Sequence, residues 1–86
     1  MNTRTIFVVV RGADLYAETL AAYANERAAQ DRALKIIEDM RDDCALDFDV
    51  KYSSPKETIQ QWNDWWETEP DMHLFVNSVP LFERKD

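Results

Sequence analysis

Glycine, cysteine and histidine each occur once in the 86 residues, and proline three times. Each scarcity closes a route. One glycine permits neither a phosphate-cradling glycine loop nor a flexible linker. A lone cysteine, Cys44, cannot form an internal disulfide, which suits a reducing compartment. One Cys and one His fall short of a zinc site. Basic residues are also few, with 10 Lys and Arg against 17 Asp and Glu and a net charge of −7. Nucleic-acid binding relies on cations that neutralise phosphates and release counterions. Direct contact with DNA or RNA is therefore not expected. The expected partner is a larger protein with a basic surface, a nucleic-acid-binding enzyme being one such class. No apolar run approaches the roughly 20 residues that span a bilayer, and no signal-like segment opens the chain. The expected location is the cytoplasm, away from membranes.

What is present describes one folded domain over residues 1–86. Apolar residues make up 45% and charged residues 31%, a globular balance. Five β-favouring residues, Ile6 to Val10, read as a strand buried on both faces. The stretch "ADLYAETLAAYANERAAQDRALKIIEDMRDD" admits two readings. One is a single helix over residues 14–43, about 45 Å long at 1.5 Å per residue and too long for so small a domain. The other, preferred here, breaks at Asn25. Residues 15–24 then pair with the first strand, and Asn25 caps a helix over residues 26–43. That helix aligns Ala29, Ala33, Ile36, Ile37, Met40 and Cys44 on one stripe.

"LDFDVKYS" alternates Leu46, Phe48, Val50 and Tyr52 with polar residues, the period of a half-buried strand over residues 46–53. "SPKE" follows as a capping box, with Ser54 at N-cap, Pro55 at N1 and Glu57 at N3. It opens a helix over residues 55–68 that Pro70 stops. "DMHLFVNSVPLF" reads as a last strand, with Met72, Leu74 and Val76 on one face and His73, Phe75 and Asn77 on the other. Pro80 marks it as an edge or a strand end. The expected class is α+β: a small mixed or antiparallel sheet in the order ββαβαβ, with two helices on one face.

"QQWNDWWETEP" sets three tryptophans within five positions. At 100° per residue they share one helical stripe. Trp62 and Trp66 are expected to face the sheet, whereas Trp65 lies at the margin of the stripe and is a candidate interface anchor. Carboxylates crowd the same regions. Glu38, Asp39, Asp42, Asp43, Asp47 and Asp49 crowd residues 38–49 at the end of one helix, and Asp64, Glu67, Glu69 and Asp71 surround the end of the other. Helix C-termini favour cations, so acid there costs a few tenths of a kcal/mol per charge or more. Such an arrangement suits either a solvated surface or a docking face for Lys and Arg. The candidate partner-binding set is Trp65 with Glu38, Asp39, Asp42, Asp43, Asp47, Asp64, Glu67 and Glu69.

Catalytic patterns are weak. His73 reads as a half-exposed strand residue. Cys44 beside Asp42 and Asp43 lacks the cation that lowers a thiol pKa, and is expected to pack as a small hydrophobe. An EF-hand register over "DMRDDCALDFDV" fails at Ala45 and Val50. No spacing selects a carboxylate pair, so catalysis, a cofactor and a metal are not expected.

The run "AAYANERAAQDRALKIIEDM" and the closing "VNSVPLF" resemble small phage-encoded α+β accessory proteins. That resemblance implies a hairpin feeding a capped helix, and a role in binding and blocking a host enzyme or defence factor in the host cytoplasm. The functional expectation is a small acidic binding protein, DNA mimicry being a subtype that needs carboxylates along an elongated face. The alternative is a homo-oligomer, such as a homodimer, built through the sheet edge or the tryptophan helix. A carboxylate-dependent enzyme stands third.

Overall fold

The computed structural model describes residues 3–12 and 17–82. Its elements are β1 (Thr3–Arg11), β2 (Glu18–Tyr23), α1 (Glu26–Asp43), α2 (Pro55–Trp65), a short 3-10 turn (Pro70–Met72) and β3 (Leu74–Phe82). The three strands form one antiparallel sheet in the order β2-β1-β3. The class is α+β, as expected, but the element order is ββααβ rather than ββαβαβ.

β1 occupies the centre because its β-branched run tolerates burial from both sides of the ladder. β2 pairs with it through Phe7↔Tyr23 and Val9↔Ala21, and the register slips between Val9 and Val10, leaving Leu20 as the extra residue of a bulge. The reading that breaks the long segment at Asn25 therefore holds, although residues 15 and 16 lie outside those described. Asn25 sits at the N-cap in extended conformation and its Oδ1 accepts from Ala28 N at 3.1 Å. α1 then buries Ala29, Ala33, Leu34 and Ile37, with Ile36 and Met40 packed at the margin. Gln30 is buried as well. Cys44 departs from expectation. It is the C-cap of α1 and exposed, because the helix turns away there before its side chain reaches the core.

Residues 46–53 are the main correction. They form no strand. The alternation is real, since Phe48 is buried and Leu46 and Val50 pack against the core while Asp47 and Asp49 are exposed. Both edges of β1 are already occupied by β2 and β3, so no ladder is open to this segment beside the central strand. Side chains meet its backbone groups instead. Arg41 Nη1 donates to Phe48 O at 3.3 Å, Arg27 donates to Tyr52 O, and Thr58 Oγ1 exchanges two 3.2 Å bonds with Lys51 N and O. Buried backbone requires partners of some kind, not strand partners.

The start of α2 also differs in detail. Pro55 takes the first helical position, but Ser54 makes no side-chain cap bond and no capping box forms. Its carbonyl accepts from Thr58 N at 3.0 Å, and Glu57 accepts from Gln61 instead of reaching back. The helix ends at Trp65, short of residue 68, with Trp66 as C-cap. The core lies between the helices and one sheet face: Phe7, Val9, Ala21, Tyr23, Leu74 and Val76 meet α1, Phe48, Ile59 and Trp62.

Candidate functional site

The acidic end of the molecule follows from how α1 and α2 are joined. Phe48 stacks edge-on against Trp62 at 5.3 Å and Trp65 at 5.8 Å, both late in α2. Its carbonyl is held by Arg41 from the last turn of α1. At the other end, Glu26 and Gln30 of α1 face Lys56, Ile59 and Gln60 of α2 across a groove of about 270 Å³. The helices thus run in the same direction and their C-termini share one end.

The three indoles take different positions. Trp62 is fully buried, and its Nε1 donates to Met72 O at 2.8 Å. Trp66 packs against the core 5.7 Å from Trp62, with its Nε1 buried and without a partner among the described residues. Trp65 is 49% exposed. Its inner edge rests on Phe48 while the rest of the ring faces solvent, as a residue at the margin of the stripe should.

Around Trp65 the acids separate into two groups. Asp47 and Asp49 flank Phe48 in sequence, and Asp64 precedes Trp65 on α2; all three are exposed. Asp64 Oδ1 accepts from Gln60 at 2.9 Å. Asp43, Asp47, Asp49, Asp64 and Glu67 form no ion pair among the described residues. Glu38, Asp39 and Asp42 are partly neutralised. Lys35 lies 3.3 Å from Glu38 and 3.4 Å from Asp39, and Arg41 lies 3.0 Å from Asp42. The hydrogen bonds to Glu38 and then Asp39 push the Lys35 ammonium above its ordinary value. Glu38 Oε2 also accepts from the Tyr52 hydroxyl at 3.2 Å. Glu38 and Asp39 therefore lie back along α1 in a local network. Asp42 and Asp43 end α1, Asp64 and Trp65 end α2, and Asp47 precedes the Phe48 that packs on Trp65. Glu67 and Glu69 lie beyond α2 on the way to β3.

His73 precedes β3 with its Nε2 2.8 Å from Trp66 O, so its ring ties α2 to the sheet. Among the described residues, no group of three or more His, Cys, Asp or Glu is placed to hold a metal ion. No helix among them is long and apolar enough to cross a membrane.

Two features are not in the sequence-derived site set. Asn63 closes the outer edge of β3, with Nδ2 donating to Leu74 O and Oδ1 accepting from Leu74 N, both at 2.9 Å. Its amide does there what a fourth strand would do. The second is the sheet face opposite the helices, where Phe75 and Val79 are exposed. Its signal was available in β1, whose two apolar faces require two covers.

Comparison with known proteins returns no matching family model, curated protein or solved structure.

Proposed function

We propose that this chain is a non-enzymatic binding protein that docks its acidic tip onto a basic groove of a larger protein and blocks it. The observation that carries this reading is Trp65. A half-exposed indole stands on a rigid aromatic support, with Asp64 before it on α2 and Asp47 and Asp49 on either side of that support in sequence, none of them in an ion pair among the described residues. An aromatic anchor of that kind supplies contact area at little cost in side-chain entropy, and unpaired charge supplies steering. Acid at the ends of both helices opposes the helix dipoles, so local stability does not account for it. The compact tip favours a groove-filling contact over the elongated charge pattern of a DNA mimic. The resemblance to phage accessory proteins makes a host enzyme or defence factor the target class.

Affinity capture from host lysate tests the proposal. Partner retention should fall between about 50 and 300 mM salt, as screening shortens the Debye length below 10 Å. It should also be lost on Trp65→Ala, or on charge reversal at Asp43 and Asp47 together. Retention indifferent to both salt and charge reversal refutes the docking tip.

A further inference from the structure

The sheet has a second face, and the register defines it. Val9 faces the helices with its partners Ala21 and Val76, as does Phe7 with Tyr23. The alternate residues Ile6, Val8 and Val10 point the other way, beside Val79, Asn77 and Phe75 of β3 and Ala22 of β2. Phe75 and Val79 on this face are 37% and 39% exposed, Phe75 with one side against the His73 ring. No element among the described residues covers it. Antiparallel sheets that face water on one side usually alternate apolar with polar residues, and β1 does not.

Shape and charge point to the same gap. The chain measures 51 × 30 × 18 Å, so its thin dimension holds only one helical and one sheet layer. Its radius of gyration is 14.3 Å, against about 12 Å for a compact domain of this length. Among the described residues, most carboxylates belong to the helices and the segments that join and follow them. On the bare face, the only charged residue among those described is Arg4, at the rim.

We propose that this face is where two copies of the chain pack, sheet against sheet about a twofold axis. A second copy fits for three reasons. It presents an apolar face of the same size and twist, as aligned sheet packing requires. It places the two acidic layers on the outside of the pair, where a net charge of −7 per copy repels least. It also makes the apolar strand β1 doubly buried. Three strands at about 4.8 Å spacing and seven residues at about 3.3 Å give a patch of roughly 14 by 23 Å. That is the size of weak, concentration-dependent pairs, below about 1,200 Å² in total. The docking tip is on the other layer, so this inference does not depend on it.

Sedimentation velocity over micromolar to millimolar concentrations tests the pairing, with circular dichroism as the check on folding. The wild-type chain should pass from monomer to dimer. Phe75→Ser and Val79→Lys, both on exposed positions, should keep the fold and weaken association by about tenfold or more. Trp65→Ala should dimerise like wild type, which separates this surface from the docking tip. A strict monomer at the highest concentration overturns the proposal and leaves the face to an apolar partner of another kind. A dimer indifferent to both sheet substitutions, or lost on Trp65→Ala, overturns it as well.

Discussion

Trp62 and Trp65 are three residues apart and do opposite work. Trp62 is enclosed and hydrogen-bonded, so Trp62→Ala removes an aromatic core side chain, costing about 3–5 kcal/mol. Trp65 keeps half its surface in water, so Trp65→Ala should cost about 1 kcal/mol, scaled from the area it does bury. Urea unfolding midpoints check the contrast; equal losses at the two positions would mean that Trp65 is a core residue. Tyr52 offers a second residue-scale prediction. Partial burial first, and the hydrogen bond to Glu38 second, raise its phenol above the ordinary tyrosine value. The folded state therefore favours the protonated phenol. That contribution is complete below about pH 10 and is lost as pH rises through the folded value. Lys35, also raised, acts with the same sign. Wild type should lose stability above about pH 10 more steeply than Tyr52→Phe, which cannot ionise. Parallel curves from denaturant melts across that range would remove the Tyr52 contribution.

Helix α1 shows how an element ends without the residue that normally ends it. Leu46 N donates to Arg41 O at 2.9 Å and Ala45 N to Asp42 O at 3.2 Å, the paired bonds of a Schellman cap. Ala45 holds the left-handed position at φ 52°. A β-carbon there costs about 1–2 kcal/mol. Ala45→Gly should accordingly stabilise the protein by about 0.5–1 kcal/mol after the extra entropy of glycine in the unfolded chain. A thermal melt checks it, and destabilisation would contradict the cap. Where the chain does use glycine, at Gly12, φ is 87° and the buried N–H donates to His73 O at 2.9 Å. Elements with local signals were legible: Asn25 announced α1, and Pro55 announced α2. Residues 46–53 were not. Alternation reports an extended backbone with one side buried, and the ladder partner that makes it a strand lies elsewhere in the chain.

Across the whole molecule, charge and apolar surface are segregated. Among the described residues, the helices and their connections carry most of the acids, and the far sheet face carries only the charge of Arg4. On the proposed docking reading, Asp43, Asp47 and Asp64 repel one another and oppose folding. Added salt should raise the melting temperature, and Asp43→Asn should stabilise by a few tenths of a kcal/mol through the α1 dipole. A melting temperature that falls with salt would mean that the tip is held by attraction rather than strained by repulsion. The same substitution should weaken partner capture, so stability gained and binding lost would move together.

The sequence by itself determined what is decided within a few residues. It settled the α+β class, the break at Asn25, the span of α1, the shared stripe of the indoles and the excess of acid. Only the tertiary structure decided which extended segments became strands, because β1 has two edges and three extended segments were available beside it. It also decided that both helices point one way, so that Arg41 late in α1 and Trp65 at the end of α2 meet at Phe48. Finally, it left one face of β1 without a covering element among the described residues, since two helices on one side cannot cover a strand that is apolar on both.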